Sequence, residues 1–337
     1  MPTRFAVLGD GAWGTAIAVL LSTHPEHDVS LWSARAENGR LLRERRENLR
    51  LLPGVSIPAK VSLTTDPREA VEEADVWIGA IPTVYLRRTL ERFAPLTPCG
   101  RPVLSLAKGL ENETFLRPTQ IIAEMIRPTA VAALSGPNHA EEISRGLPAT
   151  TVVASEDVEF AHWLQQRLST DRFRVYTTFD VVGVELAGAL KNVIAIAAGI
   201  GDGLGLGDNA KSALLTRGLV EIARFGVALG ADHETFFGLA GMGDLITTCI
   251  SPHGRNRRVG ERLGRGESMD AILASMNMVA EGVFTARSVY EKATRMGIDM
   301  PITAEVYRVL YEAKSPLAAV TDLMLREPKS ERPHSVS

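Results

Sequence analysis

A single lysine stands inside an apolar stretch, Glu185-Leu186-Ala187-Gly188-Ala189-Leu190-Lys191-Asn192-Val193-Ile194-Ala195-Ile196. An amine at such a place either snorkels to water along the apolar surface or is partly desolvated and able to give a proton to a carbonyl oxygen. Two further segments set polar groups among glycines. Gly241-Met242-Gly243-Asp244-Leu245-Ile246-Thr247-Thr248 presents a carboxylate and hydroxyls on a small-residue backbone. His253-Gly254-Arg255-Asn256-Arg257-Arg258 concentrates three arginines behind a glycine. Arginine pairs bidentately with phosphate, so this cluster reads either as a phosphate clamp or as an exposed basic helix start continuing to Arg262 and Arg265. It is short and lacks interleaved aromatics, which argues against nucleic acid.

The third chemical feature is Gly9-Asp10-Gly11-Ala12-Trp13-Gly14, directly after the apolar run Arg4–Leu8 and before the small-apolar helix start Thr15–Ser22. The motif reads either as a merely tight βα turn or, in its βαβ context, as a dinucleotide loop whose three glycines serve a tight turn, close approach of backbone to a pyrophosphate, and close helix–strand packing. The helix N-terminus then offers free N–H groups to the phosphates. A dinucleotide there gives the lysine a chemical role. Hydride arriving at a carbonyl carbon leaves alkoxide charge on oxygen, and a general acid must quench it. A site selective for NAD carries an acid about 20 residues on, at the end of the second strand. Here that region reads Trp32-Ser33-Ala34-Arg35, with no acid and one arginine. That favours tolerance of, or preference for, the 2′-phosphate of NADPH; alternatively Arg35 merely opens a solvated helix with Arg40, Arg43, Arg45 and Arg46.

Other chemistries find no support. The histidines at 24, 27, 139, 162, 233, 253 and 334 show no metal-ligand spacing, and His233-Glu234 does not continue as H-E-x-x-H. Neither a G-x-S-x-G nor a P-loop is present.

These groups must be positioned by 337 residues, 45% of them hydrophobic and 23% charged, a length that predicts about two domains. Net charge is −3 and pI about 6.2, which gives no global attraction to nucleic acid or a membrane surface. Two cysteines, Cys99 and Cys249, build no disulfide framework and fit a reducing compartment. No uninterrupted apolar run spans a bilayer: the nearest, Val184–Leu206, contains Glu185, Lys191 and Asp202. The run Phe5–Leu8 is too short for a signal peptide. Strands are predicted at Arg4–Leu8, Asp28–Trp32, Asp75–Ile81, Pro102–Leu106, Ala130–Leu134, Thr150–Ala154 and Phe173–Thr177, alternating with helices such as Ala36–Arg46 and Val84–Phe93. Their continuous apolar character predicts a mostly parallel, doubly wound α/β sheet covered on both faces. Beyond it, helical spacing takes over, as in Val289, Ala293 and Met296 and in Ile302, Val306, Val309 and Leu310. The predicted domains are therefore 1–180, a Rossmann dinucleotide-binding domain, and 181–326, an all-α domain for substrate binding and dimerisation, with a disordered tail at 327–337. The glycines at 199, 201, 203, 205 and 207, with Gly241, Gly243 and Gly254, are expected where backbone lies against a small ligand.

Together these residues resemble the soluble NAD(P)-dependent glycerol-3-phosphate dehydrogenases of bacteria. The shared blocks are Gly9–Gly14 with Trp13, Ala107–Glu111, Ser135–Ala140, Leu190–Ile196, Asp202–Gly205, Thr216–Leu219, Gly243–Leu245, Arg255–Arg258 and Ala280–Gly282, in family order over nearly the whole chain. The resemblance implies an N-terminal Rossmann domain, an all-α C-terminal domain like that of 6-phosphogluconate dehydrogenase, and an active site in the cleft between them. It implies a cytoplasmic homodimer that reversibly reduces dihydroxyacetone phosphate to sn-glycerol 3-phosphate for glycerophospholipid synthesis, using NADPH or NADH and no metal. By position, it makes Lys191 the proton donor or acceptor, with Asp244 beside it in the catalytic pair. Substrate contacts fall to Lys108, Gly136, Asn138, Thr248, Gly254, Arg255 and Asn256. Cofactor contacts fall to Gly9, Gly11, Ala12, Trp13, Gly14, Ala34, Arg35, Lys108, Ala140, Arg255, Val279 and Glu281. Two departures stand out: Gly254 replaces a serine of some members, leaving only backbone there, and Ala34-Arg35 fall in a variable cofactor-selectivity region. The alternatives are a ketopantoate or 3-hydroxy acid dehydrogenase, whose carboxylate substrates suit the arginine cluster less well, and a non-catalytic NADPH sensor, which has no use for Lys191 and Asp244.

Overall fold

The apolar runs of the first half form strands whose side chains are covered from both sides. In the computed structural model, which describes residues 2–96, 100–276, 280–328 and 330–331, ten strands appear. They are β1 (Thr3–Leu8), β2 (His27–Trp32), β3 (Glu47–Asn48), β4 (Leu52–Ser56), β5 (Val61–Thr64), β6 (Val76–Gly79), β7 (Val103–Ser105), β8 (Val131–Ser135), β9 (Ala149–Ala154) and β10 (Phe173–Thr178). Eight of them make one sheet in the order β10-β9-β8-β7-β6-β1-β2-β5, while β3 and β4 pair apart. On one face Phe5, Val7, Leu31 and Ile78 pack with Ile17, Leu21, Leu164 and Leu168 from two helices. On the other, Ala6, Leu8, Trp32 and Trp77 pack with Leu86, Leu90, Ile121 and Ile122. This is the doubly wound α/β arrangement, and its order reverses between β1 and β6, the place where such sheets open a ligand crevice.

Two details depart from the sequence reading. β9 runs antiparallel to β8, a consequence of the connection from Ser135 to Ala149 holding only the one-turn helix Ala140–Ile143. The short strands β3, β4 and β5 carry no apolar run: β4 includes Pro53 and Gly54, and the edge strand β5 buries only Val61 and Thr64 fully.

The sheet ends at Thr178, and Asp180 then caps the helix Val181–Gly203, its Oδ1 accepting from the Gly183 N–H at 2.8 Å. Its other oxygen accepts from the Asp232 N–H at 2.9 Å and the Thr235 hydroxyl at 2.6 Å, so one carboxylate ties three segments. This helix is long and apolar enough to cross a membrane by length and composition, but 89% of its most apolar window is buried inside the protein, the position of a core helix. The helices Gly207–Ala228, Asp244–Ile250, Arg255–Gly264, Glu281–Met296 and Pro301–Tyr311 surround it.

Arg255–Gly264 packs directly on this core helix, and glycines set the distance. A Cβ on Gly199 would lie 1.9 Å from the Arg257 carbonyl oxygen, and one on Gly260 would lie 1.9 Å from that of Ile196. Gly203 and Gly264 face each other in the same way one turn on. Two Gly-x-x-x-Gly faces thus bring backbone against backbone. This corrects the expectation that Gly199 and Gly203 border a ligand: they border a helix. Gly205 and Gly207, with φ of +70° and +79°, make the turn into Gly207–Ala228. Most of the expected tail, namely 329 and 332–337, lies outside the described residues, as do Cys99 and Val279.

Gly260→Ala should overpack this crossing, costing about 1–3 kcal/mol. At about 2–4 °C per kcal/mol for a domain of this size, calorimetry should show a clear drop in Tm, and an unchanged Tm would contradict the backbone contact.

Candidate active site

The crevice fills from both halves of the chain. From the sheet side, the loop after β7 carries Lys108, and the turn after β8 carries Gly136. Gly136 adopts φ +142° and a Cβ there would sit 3.1 Å from Thr151, so the turn requires glycine. From the helical side, Val181–Gly203 carries Lys191. A π-helical turn at Leu239–Gly243 aims the next helix, and Asp244 and Thr248 project from its same face one turn apart.

These side chains meet at one carboxylate. Lys108 Nζ donates to Asp244 Oδ2 at 2.8 Å and to the Gly136 carbonyl at 2.8 Å. Lys191 Nζ stands 3.0 Å from Asp244 Oδ1 and 2.5 Å from Thr248 Oγ1. Side-chain exposure is 16% for Lys108, 8% for Lys191 and 3% for Asp244. One carboxylate between two ammoniums leaves a net positive, nearly dry site, suited to an anion or to charge developing on an oxygen. Burial dominates at Lys108 and pulls its pKa down to about 8; Asp244 opposes that pull and Lys191 reinforces it. Asn192, missed among the sequence-predicted residues although it follows Lys191, sends Nδ2 to the Lys108 carbonyl at 3.4 Å and so supports the lysine loop.

Of the other predicted residues, Asn256, Arg255, Glu281 and Gly254 lie on segments that adjoin this centre. Asn256, at the start of Arg255–Gly264, is buried, and its Oδ1 accepts from the Gly282 N–H at 3.0 Å. Arg255 lies within electrostatic reach of Glu281, as do both lysines, while burial pushes the Glu281 carboxyl up. Glu281 Oε1 accepts from the Thr83 N–H at 3.0 Å, which brings it beside the end of β6. Gly254 is packed so that a Cβ would meet the Thr248 carbonyl at 2.8 Å; a serine there needs the loop to shift. Arg257, of the same arginine cluster, turns elsewhere. It pairs with Asp202 at 2.7 Å and Glu261 at 3.2 Å, locking its helix to Val181–Gly203, so the three arginines do not act as one clamp.

The segment from Ser135 to His139 carries polar atoms that the protein itself leaves unpaired. Asn138 Nδ2 donates to Thr151 Oγ1 at 3.0 Å, but Asn138 Oδ1, Ser135 Oγ and His139 Nε2 are buried without a hydrogen-bond partner among the described residues. Burial, then the Lys191 ammonium, holds the His139 imidazole below its ordinary pKa. Buried unpaired polar groups are rare, and here they adjoin the lysines.

Nearly the whole chain matches known proteins. The family model described as the NAD-dependent glycerol-3-phosphate dehydrogenase N-terminus matches residues 4–161, and that of the C-terminus matches 180–321. The chain belongs to this family. Its relatives include a glycerol-3-phosphate dehydrogenase [NAD(P)+] of Chlorobium limicola, 50% identical, covering 97% of this chain and 99% of the relative. A crystal structure of glycerol-3-phosphate dehydrogenase from Coxiella burnetii superposes with TM-score 0.93 at 35% identity, covering 96% of this chain and 99% of that one. A PanE/ApbA family ketopantoate reductase from Ralstonia eutropha, at 18% identity and TM-score 0.61, covers 95% of this chain and 100% of its own and shares the fold alone.

A nicotinamide dinucleotide, as used by this dehydrogenase family, fits the first turn of the sheet. Gly9 (φ +122°) passes so close to β6 that a Cβ would be 2.6 Å from the Ala80 carbonyl oxygen, and a Cβ on Gly14 would be 2.0 Å from the Gly9 oxygen. Gly11, in contrast, has open space where its Cβ would go. The helix Ala12–Leu21 begins with no side-chain cap and no acid in its first turn, leaving its N–H groups for an anion. Ala12, Trp13 and Ala140 gather beside Leu52 nearby, and Trp13 Nε1 is buried without a partner among the described residues. Ala34 and Arg35 are exposed at the end of β2, where Arg35 opens the helix Ala36–Arg45.

The lysine pair can be tested by titration. In the protein with 15N-labelled lysine, one Nζ resonance, absent from Lys108→Arg, should titrate near pH 8. Because Asp244 raises that value, Asp244→Asn should move it lower. Titration above about pH 10, the ordinary lysine range, in both proteins would contradict the dry, shared-carboxylate site.

Proposed function

We propose that this dehydrogenase reduces dihydroxyacetone phosphate to sn-glycerol 3-phosphate, and the reverse, as a cytoplasmic homodimer serving glycerophospholipid synthesis. The observation that carries the reading is Asp244 held between Lys108 and Lys191 beside the Arg255-Asn256 helix start: a proton source, a positive pocket and a phosphate anchor in one crevice. The domains we assign are 1–180 for cofactor and 181–326 for substrate and dimerisation. Leu317, Met324 and Leu325 are 61%, 79% and 77% exposed on the second domain and offer an apolar surface for a second copy.

The residues divide the work as follows. Gly9, Gly11 and Gly14 with Ala12 and Trp13 hold the pyrophosphate end of the dinucleotide, Ala34 and Arg35 its ribose, and Ala140, Val279 and Glu281 its further reaches. The dinucleotide, NADH or NADPH, supplies the hydride when bound. Arg255 and Asn256 take the substrate phosphate through charge-assisted hydrogen bonds, the Asn256 amide donating while its Oδ1 is held by Gly282. Gly136, Asn138 and the backbone at Gly254 border the substrate. Lys191 gives its proton to the carbonyl oxygen, and Asp244 and Thr248 fix the ammonium's direction at 3.0 and 2.5 Å. Lys108, on the other side of Asp244, contacts substrate and cofactor alike and adds positive charge where the oxygen becomes anionic. No metal enters this scheme.

Positioned general acids contribute about 10²–10⁴-fold, so Lys191→Ala should lose at least about 10²-fold in kcat while keeping its fold and its cofactor affinity. Removing a charge-assisted bond costs about 1.5–3 kcal/mol. Arg255→Ala should therefore lose roughly 10–150-fold in kcat/KM with dihydroxyacetone phosphate, and little with unphosphorylated dihydroxyacetone. The assay is oxidation of NADH and NADPH followed by absorbance, with ketopantoate as control. Preference for ketopantoate would overturn the substrate assignment, and equal losses on both ketones would overturn the phosphate anchor.

A further inference from the structure

The sequence places no acid at the end of β2, the position from which a dinucleotide fold reads the ribose 2′-hydroxyl. The fold brings one there from the glycine loop. Asp10 Oδ2 accepts from the Ser33 hydroxyl at 2.6 Å and from Asn38 Nδ2 at 3.4 Å. Ser33 is the residue that follows β2, and Asn38 lies in the first turns of the next helix, so the carboxylate spans both. The loop is anchored from behind as well, because Asn48 Nδ2 donates to the Asp10 carbonyl at 2.8 Å and to Thr15 Oγ1 at 2.8 Å. Among the described residues Asp10 Oδ1 accepts no hydrogen bond.

We propose that Asp10 is the specificity-determining carboxylate of the cofactor site, accepting the ribose 2′-hydroxyl of NADH and disfavouring the 2′-phosphate of NADPH. Three features argue for it. The carboxylate stands at the strand end where the ribose is read, although it comes from a different part of the chain. Its unengaged oxygen matches a hydroxyl donor, whereas a phosphate dianion would meet like charge. The Ser33 hydroxyl and the Asn38 amide, the neutral donors best placed to hold a 2′-phosphate, are already engaged by Asp10. Arg35 then acts as the opposing element. It is exposed beside Ser33, whose hydroxyl also lies 3.1 Å from the Arg35 carbonyl, and its guanidinium favours the phosphate that Asp10 repels. The two side chains set the balance between the cofactors.

The inference rests on the dinucleotide reading of the glycine loop, and direct binding separates the two. Dissociation constants for NADH and NADPH are measured by titration calorimetry on the wild type, Asp10→Asn, Asp10→Ser and Arg35→Ala, with Tm recorded for each. Asparagine keeps the size of the side chain and can still bond Ser33 while removing the charge. The ratio Kd(NADH)/Kd(NADPH) should rise about 10- to 100-fold in Asp10→Asn and Asp10→Ser, chiefly through tighter NADPH, as expected for removing one like charge near a phosphate. Arg35→Ala should move it the opposite way. A ratio within about threefold of wild type in both Asp10 variants, or equal weakening of both dinucleotides, overturns the proposal and leaves the dinucleotide site standing. Failure of the wild type to bind either dinucleotide overturns the site reading itself.

Discussion

Everything in the crevice depends on one buried carboxylate. Asp244 is 3% exposed at its side chain, and a carboxylate so far from water is tolerated only where opposite charge and hydrogen bonds replace its hydration. The two ammoniums that do so come from opposite sides of the crevice, Lys108 from the sheet and Lys191 from the core helix. The arrangement is self-consistent in the electrostatic sense. Two lysines this close repel each other, and burial penalises both charged forms. Asp244 offsets part of each cost and Glu281 a smaller part, yet with Arg255 alongside the cations outnumber the carboxylates, which suits a phosphorylated or anionic ligand.

The same carboxylate logic recurs where the two halves of the chain join. Glu185, on the core helix six residues before Lys191, accepts from the Thr119 N–H at 2.8 Å and hydroxyl at 2.6 Å and pairs with Arg117 at 2.5 Å. It thereby caps the N-terminus of Pro118–Ile126, a helix of the sheet domain. Glu281 does the equivalent for Thr83–Leu90 through the Thr83 N–H. Burial pushes both carboxyls up, and helix N-termini are places where backbone N–H groups answer a buried negative charge. The crevice is thus framed by two acids of the helical domain reaching into the first turns of helices that cover the sheet.

Glycine supplies the remaining constraint, in two different ways. At Gly9 and Gly14 it lets strand and helix backbones approach where a dinucleotide fits, and at Gly199, Gly203, Gly260 and Gly264 it lets two helices touch. The second use has no ligand in it, but it fixes the distance between the helix that carries Lys191 and the one that begins at Arg255. Arg257 and Asp202 lock the same crossing through charge. A cluster that reads either as one phosphate clamp or as an exposed basic helix start therefore divides: Arg255 lies within electrostatic reach of Glu281, and Arg257 belongs to the scaffold.

Features encoded by short-range spacing were legible before any folding was considered. The glycine turn after an apolar strand, the continuous apolar runs of covered parallel strands, the helical spacing of the second half and the lone lysine in an apolar helix all follow from residues within one or two turns of each other. Short elements without an apolar run, β3, β4 and β5, were illegible for the same reason, as was the reversal of β9. Other features exist only once distant segments have packed together. Lys108 and Asp244 are 136 residues apart, Thr83 and Glu281 are 198 apart, and no local period relates them. Asp10 belongs with Ser33 because a loop folds back over the end of a neighbouring strand, although counting along the chain finds no acid there. Charge and hydrogen bonding act through space over a few ångströms, so which residues share a site was settled only when the sheet and the helices had come together.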